Sequence, residues 1–203
     1  MDANTRLENY LLQKDMERKE HEPLKQNEFY ASQAGMCPRK IQYEKKHKTP
    51  NSPSTLKKFL VGNLIHDYIQ KNIYSDYKAE ERYDLEFEDI HIRMRVDLEN
   101  DKEVIEVKSI KKLPKAPLDH HVKQCAIYMK QTGKTGKVLY IEKESGNLAE
   151  FTIPKEDANV AFMESVDDFK SVMFADEQSV DVDPRRSWEC NWCNNKECPY
   201  NKG

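Results

Sequence analysis

The chain of 203 residues contains no apolar run approaching the ~20 residues that cross a bilayer, so neither a membrane span nor a membrane partner is expected. Its first residues, MDANTRLENYLLQKD, lack the apolar stretch of a secretory signal, and a cytoplasmic location is expected. A basic excess is missing too: 33 Lys and Arg stand against 36 Asp and Glu, a net charge of -3. Global charge therefore does not announce a polyanionic partner, and attraction to nucleic acid has to come from local patches. Internal repeats and low-complexity linkers are absent, and the length suits one domain over residues 1–203. The composition is polar, with a mean hydropathy of -0.92. The apolar residues are nevertheless patterned, which excludes a disordered chain. Five cysteines in a reducing compartment argue for metal ligation over disulfides.

Apolar spacing predicts a polar helix over 3–19, a helix from Pro38 to about Lys48 opened by the proline, and a helix over 55–74. The proline- and serine-rich stretch 49–54 reads as a loop. The period then changes to two. Tyr83, Leu85 and Phe87 alternate with acids, and Ile90, Ile92, Met94, Val96 and Leu98 alternate with His91, Arg93, Arg95 and Asp97, giving two antiparallel strands. A third strand follows at 103–109, then a helix at 117–131, two strands at 137–143 and 148–153 around the turn Ser145-Gly146-Asn147, and a helix at 155–174. This order is α/β or α+β around a mixed central sheet flanked by helices.

Chemistry enters through Asp97 and the run Val104-Ile105-Glu106-Val107-Lys108. Strand alternation points Glu106 and Lys108 the same way. If the two strands pair, Asp97 and Glu106 converge on a hard cation such as Mg2+ or Mn2+. That cation would activate water and polarise a phosphodiester, and Lys108 would neutralise charge building on the phosphate. Taken alone, Asp and Glu-x-Lys are usually a solvated strand face. Three neighbours add to them. His66 stands in a mostly apolar helix, where a lone histidine is more often a core residue. Gln124 and Tyr128 share a helix face offset from the stripe Leu118, His121, Val122, Cys125 and Met129, so burial explains them poorly. The loop after Lys108 is basic, with Lys111, Lys112 and Lys115.

Cys190, Cys193 and Cys198 lie close together near the end of the chain, and Cys37 is their natural fourth partner. Four thiolates suit tetrahedral Zn2+ or a [4Fe–4S] cluster. Such a centre would join residues 30–54 to residues 178–203 around a catalytic core at 55–177. Cys125 sits on an apolar stripe and reads as a buried structural residue. Trp188, Trp192 and Tyr200 are expected to shield the centre from water, with base stacking by these aromatics the lesser alternative.

In this order, Cys37, His66, Asp97, Glu106-x-Lys108, Gln124-x3-Tyr128 and the terminal cysteines resemble the RecB-like branch of the PD-(D/E)XK nucleases. More narrowly, they resemble its iron–sulfur members, the CRISPR-associated Cas-four type and the nuclease domain of AddB-type proteins. The resemblance implies a restriction-endonuclease-like core and a structural [4Fe–4S] cluster on Cys37, Cys190, Cys193 and Cys198. His66, Asp97, Glu106 and the Val107 carbonyl would hold Mg2+ or Mn2+, with Lys108 catalytic. Gln124 and Tyr128 would line the DNA path, and Arg39 and Tyr43 match the segment after the first cysteine. The aspartate motif Arg93-Met94-Arg95-Val96-Asp97 lacks the glycine that often precedes it.

The expected activity is a metal-dependent DNA exonuclease acting on single strands or ends, at home in a CRISPR locus or a phage genome. Arg39, Lys40, Tyr43, Lys111, Lys112 and Lys115 would hold the DNA. The protein would act as a homo-oligomer or beside a recombination or CRISPR partner. The competing reading is a non-catalytic DNA-end-binding or adaptation module on the same scaffold. A zinc-ribbon regulator fits the cysteines but leaves the strand carboxylates unexplained.

Overall fold

In the computed structural model, which describes residues 1–21 and 24–202, the two periodicities resolve into one mixed six-stranded sheet with helices on both faces. Helix α1 (Ala3–His21) is followed by a short strand β1 (Glu28–Tyr30) and a 3-10 turn, Ala31–Gln33. Pro38 opens α2 (Pro38–Lys46), where its missing N–H costs nothing. Helix α3 (Pro53–Tyr68) is capped by Ser52, whose hydroxyl accepts the Thr55 N–H at 3.2 Å. It runs straight into a π-helical turn, Ile69–Ile73. Strands β2 (Lys78–Phe87), β3 (Ile90–Glu99) and β4 (Glu103–Ile110) form a meander, followed by α4 (Asp119–Thr132). The hairpin of β5 (Thr135–Glu142) and β6 (Leu148–Ile153) turns at Gly146, whose φ of 75° favours glycine. Helix α5 (Lys155–Glu177) precedes the cysteine-rich tail, which contains a 3-10 turn at Trp188–Asn191.

The structure departs from the sequence reading in a few places. Strand β1 is too short to display a period, yet it pairs parallel with β3 from Glu28↔His91 to Tyr30↔Arg93. The Arg93–Glu28 ion pair at 2.9 Å fastens it there. Ser52 and Pro53 begin a helix and do not belong to the loop, because serine before proline is also a helix-start signal. Strand β2 starts at Lys78, ahead of its alternating part.

Strand β3 organises the sheet. One of its edges pairs with β2 along nearly its whole length. The other edge is shared: β1 takes His91 to Arg93, and β4 takes only Leu98 and Glu99, opposite Ile105 and Val104. Beyond that pair β4 leaves β3 and runs parallel to β5, which pairs antiparallel with β6. The sheet is therefore forked, and the inner edges of the fork leave backbone donors and acceptors without a ladder. Alternation along β4 feeds two cores. Val104 packs with Cys125, Tyr128, Val138 and Tyr140 beneath α4 and α5. Ile105 and Val107 pack with Leu98, Leu139, Ile141 and Ile69 beneath α3 and the π turn. Cys125 is fully buried, in keeping with a structural role. No helix among the described residues is long and apolar enough to cross a membrane.

Candidate active site and cysteine cap

Buried backbone groups need partners, and at the fork they find them in side chains. The Val107 N–H donates to Asp97 Oδ2 at 2.8 Å, and the Val107 carbonyl meets Nε2 of His66, which α3 brings to the site. On the β3 side, the Arg95 carbonyl accepts from the Tyr128 hydroxyl at 2.9 Å and the Asp97 carbonyl accepts from Gln70 Nε2 at 3.1 Å. Gln70 comes from the π turn, a distortion often found at functional sites. The same residues that end the β3–β4 ladder thus collect a histidine, carboxylates and a lysine at one point.

The electrostatics follow from burial. Asp97 is 8% exposed and Glu106 is fully buried. Glu106 forms an ion pair with Lys108. Burial, and after it the Glu106 charge, hold the Asp97 carboxyl well above the ordinary range, against the pull of Lys108 and the Val107 N–H. Burial alone would lower Lys108, but the Glu106 and Asp97 charges outweigh it and keep the ammonium above the usual lysine value. Burial lowers His66, so its imidazole is neutral near pH 7, the form that binds metal.

Three ligand atoms, one each from His66, Glu80 and Asp97, lie within 4.8 Å of one another. One imidazole nitrogen and two carboxylates form a donor set suited to Mn2+ or Mg2+. Glu106 does not join this group, since its carboxylate is drawn to Lys108. Glu80 is the residue that sequence reasoning missed. It stands across from Asp97 on β2 with a φ of 61°, which is costly for a residue with a side chain. Gln70 Nε2 donates to it at 2.7 Å and Arg95 forms an ion pair with it. Nothing local distinguishes it from its neighbour Glu81; only the strand pairing does.

Other expectations change on inspection. Gln124 and Tyr128 do not line an open path: they are 8% and 1% exposed, and Gln124 donates to the Tyr128 hydroxyl at 2.7 Å. Helix α4 is packed on more than one side, so the face offset from its apolar stripe is buried as well. Arg39 is paired with Asp181 at 3.0 Å and Lys40 with the buried Glu189 at 2.7 Å. Tyr43 packs against the His47 ring. Lys111, Lys112 and Lys115 are exposed, with no ion pair among the described residues.

Cys37, Cys190, Cys193 and Cys198 line one small cavity, along with Lys40 and Glu189. Backbone N–H groups of Arg185 and Ser187 point at the Cys37 and Cys190 sulfurs, at 3.2 and 3.4 Å. Protein contacts also hold this cap to α2. Glu189 accepts from the Cys37 N–H at 2.8 Å, and Gln42 brackets Val180 and Val182. Among the described residues no three of the thiols come within 4.8 Å of one another. A tetrahedral zinc site, with Zn–S near 2.3 Å, would set its sulfurs about 3.8 Å apart. Trp188, Trp192 and Tyr200 do not shield the cavity, being 59%, 63% and 42% exposed.

No protein-family model matches the chain. Among characterised proteins, the CRISPR-associated exonuclease Cas4 of Saccharolobus solfataricus is 25% identical over 203 residues, spanning 91% of this chain and 93% of that protein. The crystal structure of SSO0001 superposes with a TM-score of 0.68 at 23% identity, covering 96% of this chain and 97% of that one, and it establishes the fold. An alkaline exonuclease (LHK-Exo) from Laribacter hongkongensis gives a TM-score of 0.44 at 17% identity, over 60% of this chain and 71% of that one.

Proposed function

We propose that this chain, which carries a restriction-endonuclease-like fold, is a PD-(D/E)XK-type nuclease, a metal-dependent DNA exonuclease working at the fork between β3 and β4. The observation that carries this reading is the convergence of neutral His66, buried Asp97 and the Glu106–Lys108 pair where the ladder opens. Likeness to an exonuclease along nine-tenths of both chains supports DNA as the substrate.

His66, Asp97 and Glu80 would hold Mg2+ or Mn2+, with the Val107 carbonyl facing His66 and the Glu106 charge beside them. When bound, the cation supplies Lewis-acid polarisation of the phosphodiester and activation of water. Lys108, kept charged by Glu106, neutralises the charge that builds on the phosphate oxygens. Tyr128 and Gln124 act as positioning residues through the Arg95 carbonyl, two residues from Asp97. The exposed Lys111, Lys112 and Lys115 meet the DNA backbone, so binding weakens as salt rises. The four cysteines would hold a structural [4Fe–4S] cluster. Four thiols around one cavity support a shared metal centre, with Zn2+ as the alternative occupant.

The test is cleavage of single-stranded DNA with Mn2+ or Mg2+ by Asp97→Ala and Lys108→Ala, with folding checked by circular dichroism. Both variants should lose activity. Cleavage at the wild-type rate by both removes the nuclease reading.

A further inference from the structure

The chain has two tryptophans, and both lie on the cysteine cap with most of their surface in water. Trp188 opens the 3-10 turn that carries Cys190 and Trp192 is its C-cap, so their backbone positions are set by the cap and not by a loose tail. Each leans on a different element of the active site. Trp188 lies 5.3 Å, ring to ring, from His120 at the start of α4. His120 is held below the ordinary histidine range first by burial and then by the Lys108 ammonium, which places Trp188 one ring away from the catalytic lysine's field. Trp192 carries the Lys58 ammonium over its face at 4.3 Å. Lys58 is on α3, about two turns before His66. The loop that leads from the strand of Lys108 to the helix of His120 bears the exposed Lys111, Lys112 and Lys115.

Two exposed flat rings interleaved with cations form the surface that single-stranded nucleic acids bind. Ammonium groups follow the phosphates, and unpaired bases stack on the aromatic faces. A duplex keeps its bases stacked on one another and offers these rings nothing. The groups that meet the two rings are a cation on one and an imidazole on the other.

We propose that the cysteine cap is a single-strand platform on which Trp188 and Trp192 stack unpaired bases of the DNA whose phosphate reaches Lys108. The proposal rests on the nuclease reading and narrows its substrate to single strands. It also gives the cysteine centre a purpose, which is to fix two rings on a chain end that has little core of its own.

The experiment uses the full chain with its cysteine centre intact, in buffer free of Mg2+ and Mn2+ so that no DNA is cut. Because there are only two tryptophans, intrinsic tryptophan fluorescence reads this surface alone. An oligothymidylate and a blunt duplex of equal length are titrated in, with anisotropy of a labelled strand as the second readout. The single strand should quench the fluorescence, and the duplex should bind at least about tenfold more weakly without quenching. Each base stacked on an aromatic is worth ~1–3 kcal/mol by alanine substitution, so Trp188→Ala with Trp192→Ala should weaken single-strand binding by more than tenfold. Thermal stability should not change, because both side chains are exposed. Three results overturn the platform: binding without quenching, double-variant affinity within twofold of wild type, or equal quenching by the duplex. The second is what a protein-docking patch would produce. If Lys108→Ala abolishes cleavage while the tryptophan variant binds normally, the platform fails and the nuclease reading stands. Normal cleavage by Lys108→Ala sinks the nuclease reading whatever the tryptophans do.

Discussion

Asp97→Asn should make the protein more stable in cation-free buffer, because the fold holds this carboxylate where its charge is unwelcome. Asp97 is 8% exposed, and burial followed by the Glu106 charge raises its pKa well above the ordinary aspartate value of 3.8. The unfolded carboxyl ionises near 3.8, while the folded one keeps its proton to higher pH. As pH climbs through that window the unfolded state has lost a proton that the folded state retains. Stability therefore falls by up to ~1.4 kcal/mol per pH unit, then stays reduced above the folded pKa. Asparagine removes the charge yet keeps an oxygen to accept the Val107 N–H, now at 2.8 Å from Asp97. Replacing a buried, poorly compensated charge by a neutral group of the same shape should gain about 1–3 kcal/mol at pH 7.5. For a chain of this size that is roughly 2–12 °C in Tm. The gain should shrink as pH is lowered and vanish below the unfolded pKa. Mn2+ should reverse the ranking: at a hundred times its Kd it adds about 2.7 kcal/mol to the wild type and little to the variant. Thermal melts followed by circular dichroism across pH, with and without Mn2+, measure all of this. A lower Tm for Asp97→Asn than for wild type at pH 7.5 without cation would refute the reasoning.

Two other substitutions separate metal binding from folding. Glu80→Gly removes a side chain from a backbone with φ of 61°, relieving roughly 1 kcal/mol of strain that offsets the lost contacts to Gln70 and Arg95. Tm should hold or rise while Mn2+ affinity, measured by calorimetry, falls about tenfold, the equivalent of ~1.4 kcal/mol; unchanged affinity with a lower Tm would show Glu80 to be structural only. Tyr128→Phe leaves Gln124 Nε2 and the Arg95 carbonyl without their partner, at a cost of about 1–3 kcal/mol in urea unfolding. Its kcat should fall with Mn2+ affinity unchanged, and a variant with wild-type stability and kcat would contradict the positioning role.

Local pattern sufficed for the elements. Alternation at Ile90–Leu98 is β3, helical spacing at 55–74 is α3 with its π turn, and Gly146 sits in the turn its neighbours imply. It also sufficed for the chemistry carried by residue type at short spacing: Glu106 and Lys108 two apart on one strand face, and Cys190, Cys193 and Cys198 within one segment. Cys37, far away in the chain, lines the same cavity as those three.

What the sequence determined by itself was therefore which residue types repeat at which period, since a period states which face of an element is buried. What only the tertiary structure decided was how elements distant in the chain share edges and charges. The fork of β3 and β4, the selection of Glu80 in preference to Glu81, the pairing of Arg39 and Lys40 with acids from the C-terminal region, the burial of Gln124 and Tyr128, and the exposure of both tryptophans all depend on such meetings. The physical reason is that a hydrogen-bond ladder ends where its partner strand departs, and a charge becomes free or committed according to what folds against it. Neither is written in the spacing of neighbouring residues.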